Sequence, residues 1–413
     1  MKIWRGIRKT VLYLVLSMFL VSSVSVPLDS NARVRFFTRP YEFNYFTWTI
    51  NAFIAKISET GLDAANHIPE SIQLKVVTSY FDLSSELDSI EFDIQLIYAD
   101  PSITDPDTIA ADKIKKRGEL QTMLDQMSPV VEKILENQVK TVLAEEGLDL
   151  GGQTIPPVLY HTTPLPKALI VSPREIIRQD ANISLLADMS LEQITKLEND
   201  VESNLNVSAL VVDIGGVGMY PSMVMRSSNL PWVIQTIAHE WTHNYLSLHP
   251  LGLNYETSNA LRTMNETTAA IVGEEISKKV IARYYPKYSA VHQKVLAKTS
   301  SVQSEETFDF NAEMHITRVT ADNLLKLGKV HEAETYMESR RLFFLQNGYL
   351  IRKINQAYFA FYGAYADSPQ GAAGADPVGP AVRSLRANSS TLKDFLRQIA
   401  WMSSFDQLVS RTR

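Results

Sequence analysis

The chain has 413 residues, of which 45% are hydrophobic and 21% are charged, so it can bury a sizeable core and is not disordered throughout. The 40 Lys and Arg against 46 Asp and Glu give a net charge of −6, which argues against a protein that binds the nucleic-acid backbone. The absence of cysteine excludes disulfide scaffolds, thiol catalysis, cysteine-ligated zinc and iron–sulfur clusters.

The N-terminus has the composition of an export segment. Residues 1–9 carry four basic side chains, and an apolar run over residues 11–26 ends at a proline. The run is shorter than the ~20 residues that span a bilayer comfortably. We therefore predict that residues 1–27 are a signal peptide or a membrane anchor. The rest of the chain is then expected to be extracytoplasmic, either secreted or held at the membrane by residues 11–26.

The following part of the chain has mixed signals. Residues 41–57 are amphipathic, and residues 71–98 are rich in β-branched and aromatic residues, which leaves both short strands and a helix open. Apolar residues then recur at helical spacing over residues 108–146, and Gly147 is expected to end that helix. A hinge is predicted at the Gly and Pro residues of 151–157.

Strands are predicted only in the middle of the chain. The apolar runs at residues 168–172 and 209–216 are typical of short strands. Between them a helix begins at Ser190, and Gln193 three residues later completes a capping box. From residue 232 onward the pattern is nearly all helical.

One motif carries the chemistry. His239, Glu240 and His243 form an H-E-x-x-H sequence. Residues four apart lie on one face of an α-helix, so both imidazoles can reach one ion, and neutral imidazole is a good zinc ligand. A carboxylate next to the first ligand can take a proton from the water that attacks a carbonyl. The motif therefore predicts a zinc site with Glu240 as general base.

Two residues compete to be the third ligand. His249 occupies the last position of the metzincin pattern H-E-x-x-H-x-x-G-x-x-H, but Leu246 stands where that pattern has the glycine that turns the chain. Glu266 lies in an N-E-x-x-A context on the next helical segment. That context resembles the gluzincins, in which the third zinc ligand is a glutamate on a following helix, and we favour Glu266.

The resemblance to gluzincins covers about 70 residues, 205–275, and has further implications. It implies peptide hydrolysis, and it implies a strand beside the metal, which the glycine-containing segment 209–224 could form. It also implies a Tyr or His that stabilises the oxyanion. Tyr365 is our preference for this role; Tyr358, Tyr362 and Tyr255 are alternatives.

Together these features predict an α+β, predominantly helical protein with a zincin-like catalytic domain, in which a small sheet precedes the active-site helix and a helical C-terminal part follows. We expect these domains: 1–27 signal peptide or anchor; 28–150 N-terminal mixed or helical region; 151–300 metallopeptidase core; 301–413 helical region completing the cleft.

The expected function is that of an exported Zn²⁺-dependent metallopeptidase acting on a peptide or protein substrate. No nucleic-acid partner is expected, and the N-terminal segment could bring the protein to a membrane. Two alternatives stay open. One is a non-catalytic, membrane-anchored interaction module with a structural metal site, and the other is a metzincin-like protease that uses His249.

Overall fold

The computed structural model describes six stretches of the chain, to which all structural statements below refer: residues 30–62, 68–99, 105–286, 308–349, 351–363 and 377–412. The predicted export segment lies outside them. Helices make up most of the described residues and the strands are short, which confirms a predominantly helical α+β protein. No helix within these stretches is both long enough and apolar enough to cross a membrane.

Helices precede the first strand: α1 (Ser30–Thr38) with a 3₁₀ turn (Arg39–Tyr41), α2 (Tyr45–Leu62), α3 (Glu70–Ala99) and α4 (Pro106–Glu145). The segment 71–98, for which strands and a helix were both open, is helical throughout. Its buried side chains recur every three or four residues and pack against α4, so tertiary contacts override its β-branched composition. Helix α4 stops before Gly147, which has a φ of +74° as expected for a helix stop.

The structure contains more sheet than the single small sheet that the sequence predicts. The strands are β1 (Asp149–Leu150), β2 (Gln153–Thr154), β3 (Tyr160–Thr162), β4 (Lys167–Pro173), β5 (Ala181–Leu185), β6 (Val207–Asp213), β7 (Gly216–Val217) and β8 (Ser222–Val224). Strands of two or three residues are too short to produce a recognisable pattern. The predicted hinge at 151–157 begins as the turn of the β1–β2 hairpin.

Two three-stranded sheets divide the segment that we expected to be one edge strand. In the first, the order is β5-β4-β6 and all pairs are antiparallel, with Ile170 opposite Leu210. In the second, the order is β3-β8-β7, with β3 parallel to β8 and β7 antiparallel to it. The segment 209–224 therefore contributes to both sheets: its first part belongs to β6 of the first sheet, and its later part forms β7 and β8 of the second.

Helices follow the sheets as predicted: α5 (Leu191–Leu205, between β5 and β6), α6 (Leu230–Leu246), α7 (Pro250–Leu253), α8 (Asn259–Tyr284), α9 (Phe310–Lys326), α10 (Val330–Gln346), α11 (Gln356–Tyr362), α12 (Val378–Ala387), α13 (Leu392–Ala400) and α14 (Phe405–Thr412). The capping box between Ser190 and Gln193 is present at the start of α5, which confirms that prediction.

The largest hydrophobic core is shared by distant parts of the chain. It combines side chains of α3 and α4, of α6 and α8, and of the three C-terminal helices. Two smaller cores lie on the two faces of the β5-β4-β6 sheet. The domain boundaries stay predictions, although residues from the predicted N-terminal, central and C-terminal regions meet in the first core.

Candidate metal centre

Helix α6 carries both histidines of the motif, and its own sequence sets its limits. The Asn229 side chain accepts a hydrogen bond from the backbone N–H of Trp232, and Pro231 lies in the first turn. The helix ends at Leu246. His239 and His243 lie within one continuous helix and project from the same face.

Helix α8 packs closely on α6 and brings the third side chain. A Cβ placed on Gly273 of α8 would lie 2.8 Å from the carbonyl oxygen of Gln235 and 3.3 Å from the Cβ of His239. Only a residue without a side chain allows the two helices to approach this closely. The contact places Glu266, two turns earlier in α8, beside the histidines.

Three donor atoms converge between the two helices. The Nε2 atoms of His239 and His243 are 3.0 Å apart, and the Oε2 atom of Glu266 lies 3.5 Å from each. Among the described residues, these three form the group of His, Asp and Glu side chains with the spacing of a metal site. The Glu266 Oε2 atom is buried and accepts no hydrogen bond from a described residue. A buried oxygen ordinarily has a partner, so this donor set fits a cation.

Two neighbouring polar side chains orient these ligands. The Nδ1 atom of His243 lies 2.8 Å from the Oδ1 atom of Asn265 and donates a hydrogen bond to it. In the neutral imidazole this leaves the electron pair of Nε2 available to a metal ion. The Tyr255 hydroxyl donates to Glu266 Oε1 at 2.5 Å, and Oε2 faces the two histidines. Our sequence interpretation assigned neither role. The only signals were that Asn265 precedes Glu266 and that Tyr255 lies in the loop between the ligands.

Glu240 is buried under strand β7. A Cβ placed on Gly216 would lie 2.2 Å from Glu240 Oε1, and one placed on Gly218 would lie 2.9 Å from the Cβ of His243. The glycines therefore permit this segment to approach the motif helix closely. The backbone of β7 covers the Glu240 carboxylate, and a side chain at Gly216 would displace that carboxylate.

The electrostatics of the group follow from its burial. Burial raises the pKa of Glu240, and the neighbouring His239 and His243 only partly offset this. Burial lowers the pKa of His243, but Glu266 and Glu240 outweigh it and raise the value to about 9. Burial likewise opposes ionisation of Glu266, yet the two histidines hold its pKa well below its usual range. The ion-free site is thus a buried pair of imidazolium and carboxylate.

Comparisons with known proteins identify no relative. No protein-family model matches the chain, and neither a curated protein nor a solved structure matches it.

The structure does not bring the other predicted ligand to this group. His249 precedes α7 and makes no capping hydrogen bond to it; its Nδ1 atom donates to the carbonyl of Tyr245 at 2.8 Å. Its ring contacts Trp401 on the far side of α6. Of the other carboxylates on α8, Glu274 pairs with Lys278 and Glu275 pairs with Arg386 of α12, so neither supports the ligands.

The predicted oxyanion donors fall in different places. Tyr365, our preferred candidate, lies outside the described residues. Tyr358 and Tyr362 pack in the core that α9, α10 and α11 form against the β5-β4-β6 sheet. Burial raises the pKa of both hydroxyls. Of the three that lie in the described part of the chain, Tyr255 is the one that contacts a candidate ligand, Glu266.

Proposed function

We propose that the protein is a zinc-dependent metallopeptidase resembling the gluzincins, with His239, His243 and Glu266 as ligands and Glu240 as general base. The observation that carries the proposal is the convergence of two imidazole nitrogens and one buried carboxylate oxygen, which has no hydrogen-bond partner among the described residues, within 3.5 Å of each other. Three protein ligands of this kind, with a further position open to water and substrate, are typical of catalytic zinc sites.

Each residue of the site has a separate role in the proposed reaction. A bound zinc ion would polarise the scissile carbonyl and make water a stronger nucleophile. Glu240 accepts a proton from the attacking water and returns it to the leaving amine, and its raised pKa brings it closer to the working pH. Asn265 and Tyr255 hold His243 and Glu266 in place. Tyr365 stays our proposal for the oxyanion donor, with Tyr255 as the alternative beside the candidate ligands.

The proposal keeps a peptide or protein as substrate and an extracytoplasmic location. Zinc is proposed over magnesium or calcium because two of the three donors are imidazole nitrogens, whereas those ions prefer oxygen ligands.

The decisive measurement is the zinc content of the purified full-length protein. We expect one zinc per wild-type chain, loss of the ion in Glu266→Gln, and retention in His249→Ala, because His249 bonds to the Tyr245 carbonyl and lies outside the group of candidate ligands. Loss of zinc in His249→Ala but not in Glu266→Gln would establish the metzincin-like alternative. A folded wild-type protein without zinc would refute the proposal and favour the interaction module.

A second measurement separates binding from catalysis. Glu240→Gln should keep its zinc, because Glu240 donates no ligand atom, and should hydrolyse a peptide library about 10²- to 10⁴-fold more slowly than wild type. Equal hydrolysis by this variant and by the wild type would exclude Glu240 as the base.

A further inference from the structure

Helix α2 has its polarity reversed relative to an ordinary surface helix. A surface helix usually turns its apolar residues toward the core and its charges toward water. Within α2, Lys56 is buried, with 4% of its surface exposed, whereas Phe46 and Ile54 are 73% and 57% exposed. Two things therefore need an explanation: what holds the lysine inside, and what covers the apolar side chains outside.

The inward face is held by polar contacts. Lys56 Nζ lies 2.5 Å from Glu132 and 3.2 Å from Glu136, both buried in α4. At the other end, the Tyr45 hydroxyl lies 2.7 Å from the Ser184 hydroxyl, and Trp48 donates to Thr163 at 3.3 Å. A buried ammonium group is tolerated only with such partners, so these contacts fix which face of α2 turns outward.

The outward face is a continuous apolar stripe. Phe46, Ile50, Phe53 and Ile54 are all exposed and, at 100° per residue, fall within an arc of about 100°. Lys56 and Glu59 are the charged residues in the helix sequence, and neither position lies within the arc of the stripe. An exposed stripe of large apolar side chains of this kind marks a binding surface.

The chain around α2 indicates what covers the stripe. Just before it, Phe36 is 74% exposed, and the side chains of Arg33, Arg35 and Arg39 are exposed as well. Aromatic and aliphatic side chains beside arginine suit the boundary between lipid headgroups and acyl chains. The apolar run 11–26 ends 19 residues before Tyr45, a distance of at most about 65 Å even when fully extended. A membrane that holds that run therefore lies within reach of α2.

We infer that α2 lies flat on an anionic lipid surface with its Phe and Ile stripe inserted among the acyl chains. The inference needs neither the metal nor the peptidase activity. It differs from anchoring by the N-terminal segment, because it assigns the folded part of the protein a contact with the bilayer.

The absence of cysteine allows a direct test. Single cysteines replace Phe53 on the stripe and, as a matched control, Asn51, which is also exposed on α2 but lies about 110° from the stripe's centre. Each full-length variant carries a bimane label and is reconstituted in vesicles of phosphatidylcholine and phosphatidylglycerol. We expect a blue shift, and quenching by acyl-brominated lipid at least about twofold stronger, at position 53 than at position 51.

Three results would overturn the inference. Equal, weak quenching at both positions would mean that only the N-terminal segment meets the bilayer. A blue shift at position 53 in detergent-free buffer without vesicles would mean that another protein surface, such as a second copy, covers the stripe. Quenching that is unchanged without phosphatidylglycerol would remove the role of the anionic headgroups.

Discussion

His243 and Glu266 owe their orientation to two neighbours that the H-E-x-x-H motif does not contain. Asn265 fixes the tautomer of His243, and Tyr255 occupies one oxygen of Glu266 so that the other faces the histidines. Such supporting contacts commonly change metal affinity by 10- to 100-fold (about 1.4 to 2.7 kcal/mol). His243 and Glu266 thus each have one supporting hydrogen bond, and a single substitution can remove each bond separately.

The Tyr255 contact yields a prediction on metal affinity. Tyr255→Phe keeps the ring beside His243 but removes the hydroxyl that holds Glu266, so we expect the zinc Kd to rise about 10-fold or more. The measurement is a zinc titration against a competing chelator. Tyr245→Phe is the control, because Tyr245 lies on the side of α6 that stacks on Trp241. An unchanged Kd in Tyr255→Phe would show that Glu266 needs no such support.

The strand β7 and the helix α6 act as a unit at the scale of elements. The Asn244 side chain of α6 donates to the Met219 carbonyl and to the Ser222 hydroxyl, both at 3.0 Å. These bonds tie the β7–β8 connection onto the helix and keep Gly216 directly over Glu240. The position of Glu240, the proposed general base, is therefore set by a neighbouring sheet and not by its own helix alone.

A methyl group at Gly216 should disable the base without disturbing the ion. Its Cβ would lie 2.2 Å from Glu240 Oε1, so the carboxylate must move, and misplacement of a reacting group by about 1 Å can cost about 10²-fold in kcat. We expect Gly216→Ala to retain zinc but to lose peptidase activity by about that factor. Gly215→Ala is the control, because its Cβ would meet only Trp232, at 3.1 Å. Equal activities for the two variants would contradict this role of β7.

The stability of the whole molecule is linked to pH through the buried pair of His243 and Glu266. The pKa of His243 rises from 6.5 to about 9 on folding without the ion, so its contribution is fully present below pH 6.5 and is lost as pH rises through about 9. The pKa of Glu266 is lowered on folding, so its contribution is lost only in acid, below its usual value of 4.5. The ion-free protein should therefore gain most from this pair between these limits.

We expect the melting temperature of the chelator-treated protein to fall relative to that of His243→Gln as pH rises from 6.5 to 9. Zinc competes with the proton, so its apparent affinity should rise up to about tenfold per pH unit over the same range. Scanning fluorimetry with and without zinc measures both effects. His331→Gln, which changes an exposed histidine of α10, should behave as wild type. A zinc affinity independent of pH in this range would contradict the proposed pairing.

Much of the architecture was predictable because its signals are local. Apolar spacing predicted α4 and α6, and the capping box predicted the start of α5. Residues 71–98 were ambiguous, because β-branched residues can be helical when one face packs against a partner such as α4. The two- and three-residue strands could not be predicted, because they exist only through pairing with distant segments.

By itself, the sequence determined the chemistry that the chain can offer. The placement of His239 and His243 on one face depends only on helical geometry, and the absence of cysteine leaves histidine and carboxylate side chains as the available zinc ligands. The tertiary structure decided that Glu266, and not His249, lies beside them, where β7 lies over Glu240, and which face of α2 turns outward. Those outcomes depend on contacts between residues far apart in the chain, and periodicity within a segment carries no information about which distant segment will pack against it.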